Sequence, residues 1–141
     1  KCEKALGLGA SNAMNNREGE LAGWARELTQ GAGVDMVMDC VGTALFGASL
    51  FAIGVHGRLV NCGNASGDEA TIPSLGYLFH SGISIIGSDP YEPSEFGPVW
   101  EEFCSGDYQV EIDSTYPLEA AGEAQEKMLS GDFFGKIILT P

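Results

Sequence analysis

Cations are scarce in this 141-residue sequence: 7 lysines and arginines stand against 20 aspartates and glutamates, for a formal net charge of −13. Such an acidic chain repels phosphate backbones and anionic membrane surfaces. Its cations (Lys1, Lys4, Arg17, Arg26, Arg58, Lys127, Lys136) are scattered rather than clustered, so no nucleic acid and no membrane is expected as a partner. Long apolar runs are missing too. The longest, 44–55, is broken by Gly47, Ser49 and Gly54 and falls short of the ~20 apolar residues a spanning helix needs. The four cysteines (Cys2, Cys40, Cys62, Cys104) form no CxxC pair and have no histidine at ligand spacing, which argues against a zinc knuckle or a redox motif. They are expected to be ordinary buried thiols in a reduced, cytoplasmic compartment. No G-x-S-x-G elbow occurs, and the two histidines, His56 and His80, fall at a turn and a helix end. Hydrolase chemistry is therefore unsupported, and neither a catalytic residue nor a metal ligand is assigned.

What is present is an alternation of two periods. Short β-rich apolar runs are separated by longer stretches with helical spacing, the pattern of βαβ units around a mainly parallel sheet. Residues 1–8 read as the body of a helix that begins at Lys1 rather than Met, so the chain is expected to be a fragment or processed product with a segment upstream. Residues 12–15 read as a short strand. Helix 19–30 places Leu21, Trp24, Ala25 and Leu28 on one apolar face. Strand 34–39 (VDMVMD) is apolar enough to be central in a sheet. A Gly and Ala-rich helix over 43–54, a strand over 57–62, a loop over 63–72, a helix over 73–80 and a buried strand over 84–88 follow. After Pro90 the texture changes: a helix over 99–104, an extended stretch over 110–116, a helix over 118–129 and a last strand over 136–139. No repeat or low-complexity run interrupts the chain, so one domain is expected, with a wrap-around segment over about 107–141.

Ligands of open parallel sheets bind at the carboxyl ends of the strands. Three strand ends here share a character: Asp39-Cys40-Val41-Gly42, Asn61-Cys62-Gly63-Asn64 and Gly87-Ser88-Asp89. Each puts a small or polar residue beside a glycine, which lets a flat ring or ribose approach the backbone, with Asp39 or Asn61 as a hydrogen-bond partner; ordinary turns use the same residues. The phosphate cradle that would settle the matter is not visible. The segment 7–12 (GLGASN) ends a helix instead of opening one after a strand, so it is a helix terminus and not a GxGxxG fingerprint. Tyr77, Tyr91 and Tyr108 read as surface or packing residues.

In the order of its elements the chain resembles the cofactor-binding half of the medium-chain dehydrogenase/reductase superfamily, the zinc alcohol dehydrogenases and quinone oxidoreductases. Residues 1–10 (KCEKALGLGA) resemble that family's K-x-E-x-A-x-x-L-G-A helix, and 27–42 (ELTQGAGVDMVMDCVG) its E-L-T-x-G-x-G-V-D-V-V-x-D-x-V-G run. Residues 57–60 (GRLV) with Gly63, 84–88 (SIIGS), 116–121 (YPLEAA) and 131–139 (GDFFGKIIL) are similar to its later signatures. The resemblance covers essentially the whole chain. It implies an α/β fold, a Rossmann-like doubly wound, mainly parallel sheet lacking its first βαβ unit with the Gly-rich loop, so that 1–141 is a partial nucleotide-binding domain. It implies a nicotinamide dinucleotide, NADP or NAD, with Val41, Gly42, Cys62, Gly63, Gly87 and Ser88 lining the nicotinamide and its ribose, Asp39 beside them, and Lys1 near the adenosine ribose, where a cation favours NADP. Zinc dependence stays open. The small-molecule substrate would meet an absent catalytic domain, so this piece alone is expected to be inactive and to bind dinucleotide poorly. An open sheet edge makes a homo-oligomer the expected assembly. A non-catalytic, acidic oligomeric binding module is the competing reading. A methyltransferase-like sheet is weaker, because residues 116–139 do not fit it.

Overall fold

A computed structural model of the chain describes residues 1–88, 92–106, 108 and 110–141. Asp89 of the third strand end and Tyr91 lie outside these residues. The fold is α/β with parallel sheets, as the periodicity implies, and the chain divides into two compact units: Lys1–Ala13 with Pro93–Pro141, and Met14–Glu92.

The 14–92 unit carries a three-stranded parallel sheet in the order β1-β2-β3, with β1 at Val34–Asp39, β2 at Ile53–Asn61 and β3 at Ser84–Gly87. Helix α2 (Leu21–Leu28) starts where the Glu20 carboxylate accepts from Ala22 N and Gly23 N, at 2.8 and 2.6 Å, satisfying donors that a helix start leaves free. Helix α3 (Phe46–Ala52) runs into β2 with no residue between them. Helix α4 (Leu75–His80) is capped by Ser74, whose hydroxyl accepts from Tyr77 N at 3.1 Å. The core sits on the α2/α3 side. Leu50, Ile53 and Leu59 are nearly sealed from solvent, with Val34, Val37, Phe46, Ile72 and Ile83 packed around them, and Ala22, Ala25 and Ala52 bring the two helices together against Trp24.

Five expectations fail here. Residues 12–15 form no strand; with no neighbouring strand to pair, the backbone turns instead, Glu18 N donating to Asn15 O at 2.9 Å. Strand β1 is an edge and not central, and Met38 is 66% exposed because no layer within this unit covers that face. Strand β3 is exposed throughout. Cys40, Cys62 and Cys104 are exposed and Cys2 half-buried, so the thiols are not core residues. Strand β2 also begins before residue 57: Ile53 pairs with Val34, and the register then jumps so that Met36 faces Arg58. The extra residues form a bulge in which His56 adopts φ 61° and donates its N–H to Ser81 O at 2.7 Å.

In the other unit, β4 (Ile112–Pro117) and β5 (Lys136–Thr140) pair in parallel, joined by α6 (Ala121–Ser130), which ends in a left-handed Gly131 at φ 69°. Helix α5 (Phe96–Cys104) and the short α1 (Cys2–Gly7) complete it. Lys1 Nζ donates to Gly131 O at 2.5 Å and lies 5.3 Å from the Phe133 ring centre, while Lys4 Nζ sits 5.7 Å from that of Phe134. Among the described residues no helix is long and apolar enough to cross a membrane.

One ion pair gives this unit a pH signature. Lys127 Nζ stands 2.5 Å from Asp113 Oδ2, and Phe134 N donates to Asp113 Oδ1 at 3.0 Å. The lysine first, and the amide second, hold the Asp113 carboxyl down at about 2, below its ordinary 3.8. A depressed acid stabilises the folded form fully above its unfolded value and loses that contribution as pH falls toward the folded one. Stability of this unit is therefore expected to drop between pH 3.8 and about 2, and Asp113→Asn to remove that part of the slope in acid unfolding followed by Trp100 fluorescence. An unchanged slope in the variant refutes the assignment.

Candidate functional site

The register of the 14–92 unit brings the three strand ends into line. Asp39 pairs with Asn61, and Asn61 with Gly87. Each strand stops there because the next residues turn the chain away: Asp39 Oδ1 accepts from Val41 N at 2.8 Å and Gly42 N at 3.0 Å, and Gly42 takes a φ of 79° that a side chain resists.

A cleft of about 250 Å³ opens at these ends, lined by Gly42, Thr43, Phe46, Asn61, Gly63, Asn64, Gly67, Asp68, Ala70, Ile85, Ile86 and Gly87. Its walls are two loops bonded to each other. Thr43 N donates to Gly67 O at 3.3 Å and Thr43 Oγ1 to Glu69 O at 2.6 Å, while Ser66 Oγ donates to Val41 O at 2.7 Å and accepts from Ala44 N at 2.9 Å. Asn64 Nδ2 donates to Asp68 Oδ1 on the rim. Asn61 closes the floor, its amide donating to Asp39 O at 3.3 Å and Gly63 O at 2.9 Å. At Gly42 a Cβ would meet Gly67 O at 2.7 Å, and at Gly63 it would meet Cys40 O at 3.1 Å, so these glycines let the walls close. Gly87 is different: nothing lies within 4 Å of where its Cβ would stand. A side chain there would enter open space beside a residue that lines the cleft.

Of the residues singled out from sequence, Gly42, Gly63, Gly87 and Asn61 are brought together on the cleft wall. Val41, Cys62 and Ser88 stand beside it without lining it. Asp39 does not face the cleft: it is 3% exposed, Oδ1 holds the turn, and Oδ2 is buried without a hydrogen-bond partner among the described residues. Lys1 belongs to the other unit, where its ammonium is held by Gly131 and Phe133. Sequence reasoning missed Gly67 and Asp68 because it took 63–72 as a plain loop, and Thr43 and Phe46 because it took 43–54 as a helix lying on the sheet. The available signal was the density of turn formers in Asn64-Ala65-Ser66-Gly67-Asp68, which packs a loop tightly against its neighbour.

Tyr77 and Tyr108 are engaged elsewhere. The Tyr77 hydroxyl accepts from Arg26 and donates to Ile53 O, and that of Tyr108 donates to Glu102 Oε1 at 2.7 Å. The glycines of 7–12 end α1, with Gly9 at φ 101°.

A family model described as zinc-binding dehydrogenase matches residues 8–139. Among curated relatives, a quinone oxidoreductase of Salmonella typhimurium is 37% identical over 153 aligned positions, covering 100% of this chain and 46% of that protein. Among solved structures, the alcohol dehydrogenase of the hyperthermophilic archaeon Aeropyrum pernix superposes with a TM-score of 0.88 at 28% identity, covering 99% of this chain and 40% of that one. The Escherichia coli quinone oxidoreductase complexed with NADPH superposes at 0.86 and 28% identity, covering 99% and 46%. The chain thus spans less than half the length of each of these relatives.

Proposed function

Since the chain belongs to the zinc-binding dehydrogenase family, we propose that it is the carboxyl-terminal part of the cofactor domain of an NAD(P)-dependent oxidoreductase, and that its strand-end cleft receives the nicotinamide end of NADP or NAD. The parent enzyme would move hydride between nicotinamide and a small alcohol, aldehyde, ketone, quinone or enone. The observation that carries this reading is the alignment of Asp39, Asn61 and Gly87 in one register row beneath a glycine-lined cleft, the position where parallel sheets bind ligands. The relative complexed with NADPH supports it. None of the relatives described supports a non-catalytic module.

The nicotinamide coenzyme supplies the hydride chemistry when bound; the residues here supply the seat. Gly63 and Gly87 admit a flat ring to the backbone, Phe46 and Ile86 give it an apolar wall, and Asp39 keeps the Val41 and Gly42 amides fixed so that the wall does not collapse. Zinc is another matter. Among the described residues no group of three or more histidine, cysteine or carboxylate side chains is placed to hold a metal ion, so the donor set does not fit zinc and no step runs through it.

At about 250 Å³ the cleft lies below the ~300–1,000 Å³ of sites that enclose whole ligands. Titration of this chain with reduced nicotinamide mononucleotide is therefore expected to shift the amide resonances of Gly42, Gly63 and Gly87 with a Kd of about 1 mM, near −4 kcal/mol, while AMP leaves them unmoved. Gly87→Val, whose side chain enters open space, should weaken the nucleotide at least about tenfold while changing stability by no more than ~0.5 kcal/mol. Equal binding by the variant, or shifts produced equally by AMP, refutes the proposal.

A further inference from the structure

Two thiols stand side by side at the edge of the sheet. Cys40 directly follows β1 and Cys62 directly follows β2, and the last register pair of those strands is Asp39 with Asn61. Each cysteine thus stands one residue past the last register pair. The backbones stay together past that point: Cys62 N donates to Asp39 O at 2.8 Å and Ala65 N to Cys40 O at 3.3 Å, and a Cβ at Gly63 would stand 3.5 Å from Cys40 Cβ.

Side chains alternate along a strand. Asp39 and Leu59 are on the buried side, so Cys40 shares a face with Met38, and Cys62 with Val60, the register partner of Met38. Alternation continued one residue past the strand ends puts both thiols on one face, at strands about 4.8 Å apart. That spacing lies within the ~4.4–6.8 Å that Cα atoms span in disulfides. The Cys62 thiol already leans toward β1, donating to Asp39 O at 3.6 Å, and both cysteines are free and exposed.

We propose that Cys40 and Cys62 form an oxidisable dithiol that closes into a disulfide across the ends of β1 and β2 in the presence of a hydroperoxide. One thiolate attacks the peroxide; an S–O bond forms, the O–O bond breaks, and the departing oxygen leaves as water, giving a sulfenic acid. The second sulfur attacks that sulfenic sulfur; the S–S bond forms, the S–O bond breaks, and a second water leaves with the second thiol's proton. The thiols lose two electrons and hydrogen peroxide gains them, becoming two waters. A dithiol reductant reverses the change. Closure ties together the strand ends that carry Gly42 and Gly63, so the oxidation state of this pair reaches the cleft wall through the backbone.

The test treats the full chain with hydrogen peroxide at low micromolar protein concentration and reads the intact mass. The expected result is a loss of about 2 Da, the two thiol hydrogens, restored by dithiothreitol, with peptide mapping that joins the Cys40 and Cys62 peptides while Cys2 and Cys104 remain open to alkylation. A Cys2→Ser/Cys104→Ser variant should close like the original. Cys40→Ser and Cys62→Ser should each abolish the loss and instead gain about 32 Da as the remaining thiol proceeds to sulfinic acid. Mapping on the unsubstituted chain decides the matter even if a variant misfolds. The proposal is overturned by separate sulfinic acids at both positions, by pairing through Cys2 or Cys104, by a covalent dimer, or by no mass loss in a large excess of peroxide.

Discussion

Gly33→Ala is expected to lower the unfolding free energy by about 2–5 kcal/mol, a large share of the ~5–15 kcal/mol typical of a domain. Two costs add at this position. Gly33 has φ 83°, where a side chain costs about 1–2 kcal/mol. The added methyl would also stand 2.6 Å from Gly54 N and 2.8 Å from Ala52 O, and these are backbone atoms at the junction of α3 and β2 that cannot rotate away. Overpacking of this kind typically costs a further ~1–3 kcal/mol. Gly31 separates the two contributions: its φ of 90° carries the same torsional penalty, but nothing lies within 4 Å of its Cβ position. Gly31→Ala should therefore cost only about 1–2 kcal/mol. Urea midpoints at unchanged slope, followed by Trp24 fluorescence, measure both. If the two variants unfold together, the close approach of Gly33 to β2 contributes nothing.

The second large effect belongs to Arg26. Its guanidinium donates from Nε to Phe51 O at 3.0 Å, from Nη1 to Gly31 O at 2.7 Å, and from Nη2 to Ile53 O at 2.9 Å and the Tyr77 hydroxyl at 2.5 Å. Phe51 and Ile53 lie where α3 ends, and a helix end leaves carbonyls in need of donors and favours a cation. One side chain thus satisfies the exit of α3 and the turn after α2. Arg26→Ala removes charge-assisted bonds worth ~1.5–3 kcal/mol each, partly replaced by water at this half-buried position, so a loss of about 3 kcal/mol is expected. Arg26→Lys should recover only a minor part, since an ammonium cannot span three carbonyls from one plane. A loss below ~1 kcal/mol in the alanine variant would show that water serves these carbonyls as well as the arginine does.

Particular residues show how far the sequence carried. The spacing of Leu21, Trp24, Ala25 and Leu28 places α2 correctly, and strand 34–39 has the bounds the apolar run implies. The cleft was legible as three glycine-bearing strand ends because topology, and not detailed packing, gathers the ends of parallel strands. The position of β1 was not legible. Met36 and Met38 read as core residues, yet they are 49% and 66% exposed: hydrophobicity reports what a strand would bury against, not whether this unit supplies the covering layer. The early start of β2 was hidden for another reason. Ala52-Ile53-Gly54-Val55 continues a helical composition, and no local pattern announces a bulge that places His56 at φ 61°.

The unit built from Lys1–Ala13 and Pro93–Pro141 has its two parts far apart in the chain. Lys1 waits for Gly131, 130 residues later, and Lys4 for Phe134. A ribosome adding ~5–20 residues per second needs on the order of ten seconds to deliver those partners. During vectorial synthesis α1 therefore emerges well before the residues that secure it. Its six residues are far short of the ~12–15 that sustain a helix alone in water, so throughout that interval this segment stays unfolded until its distant partners arrive.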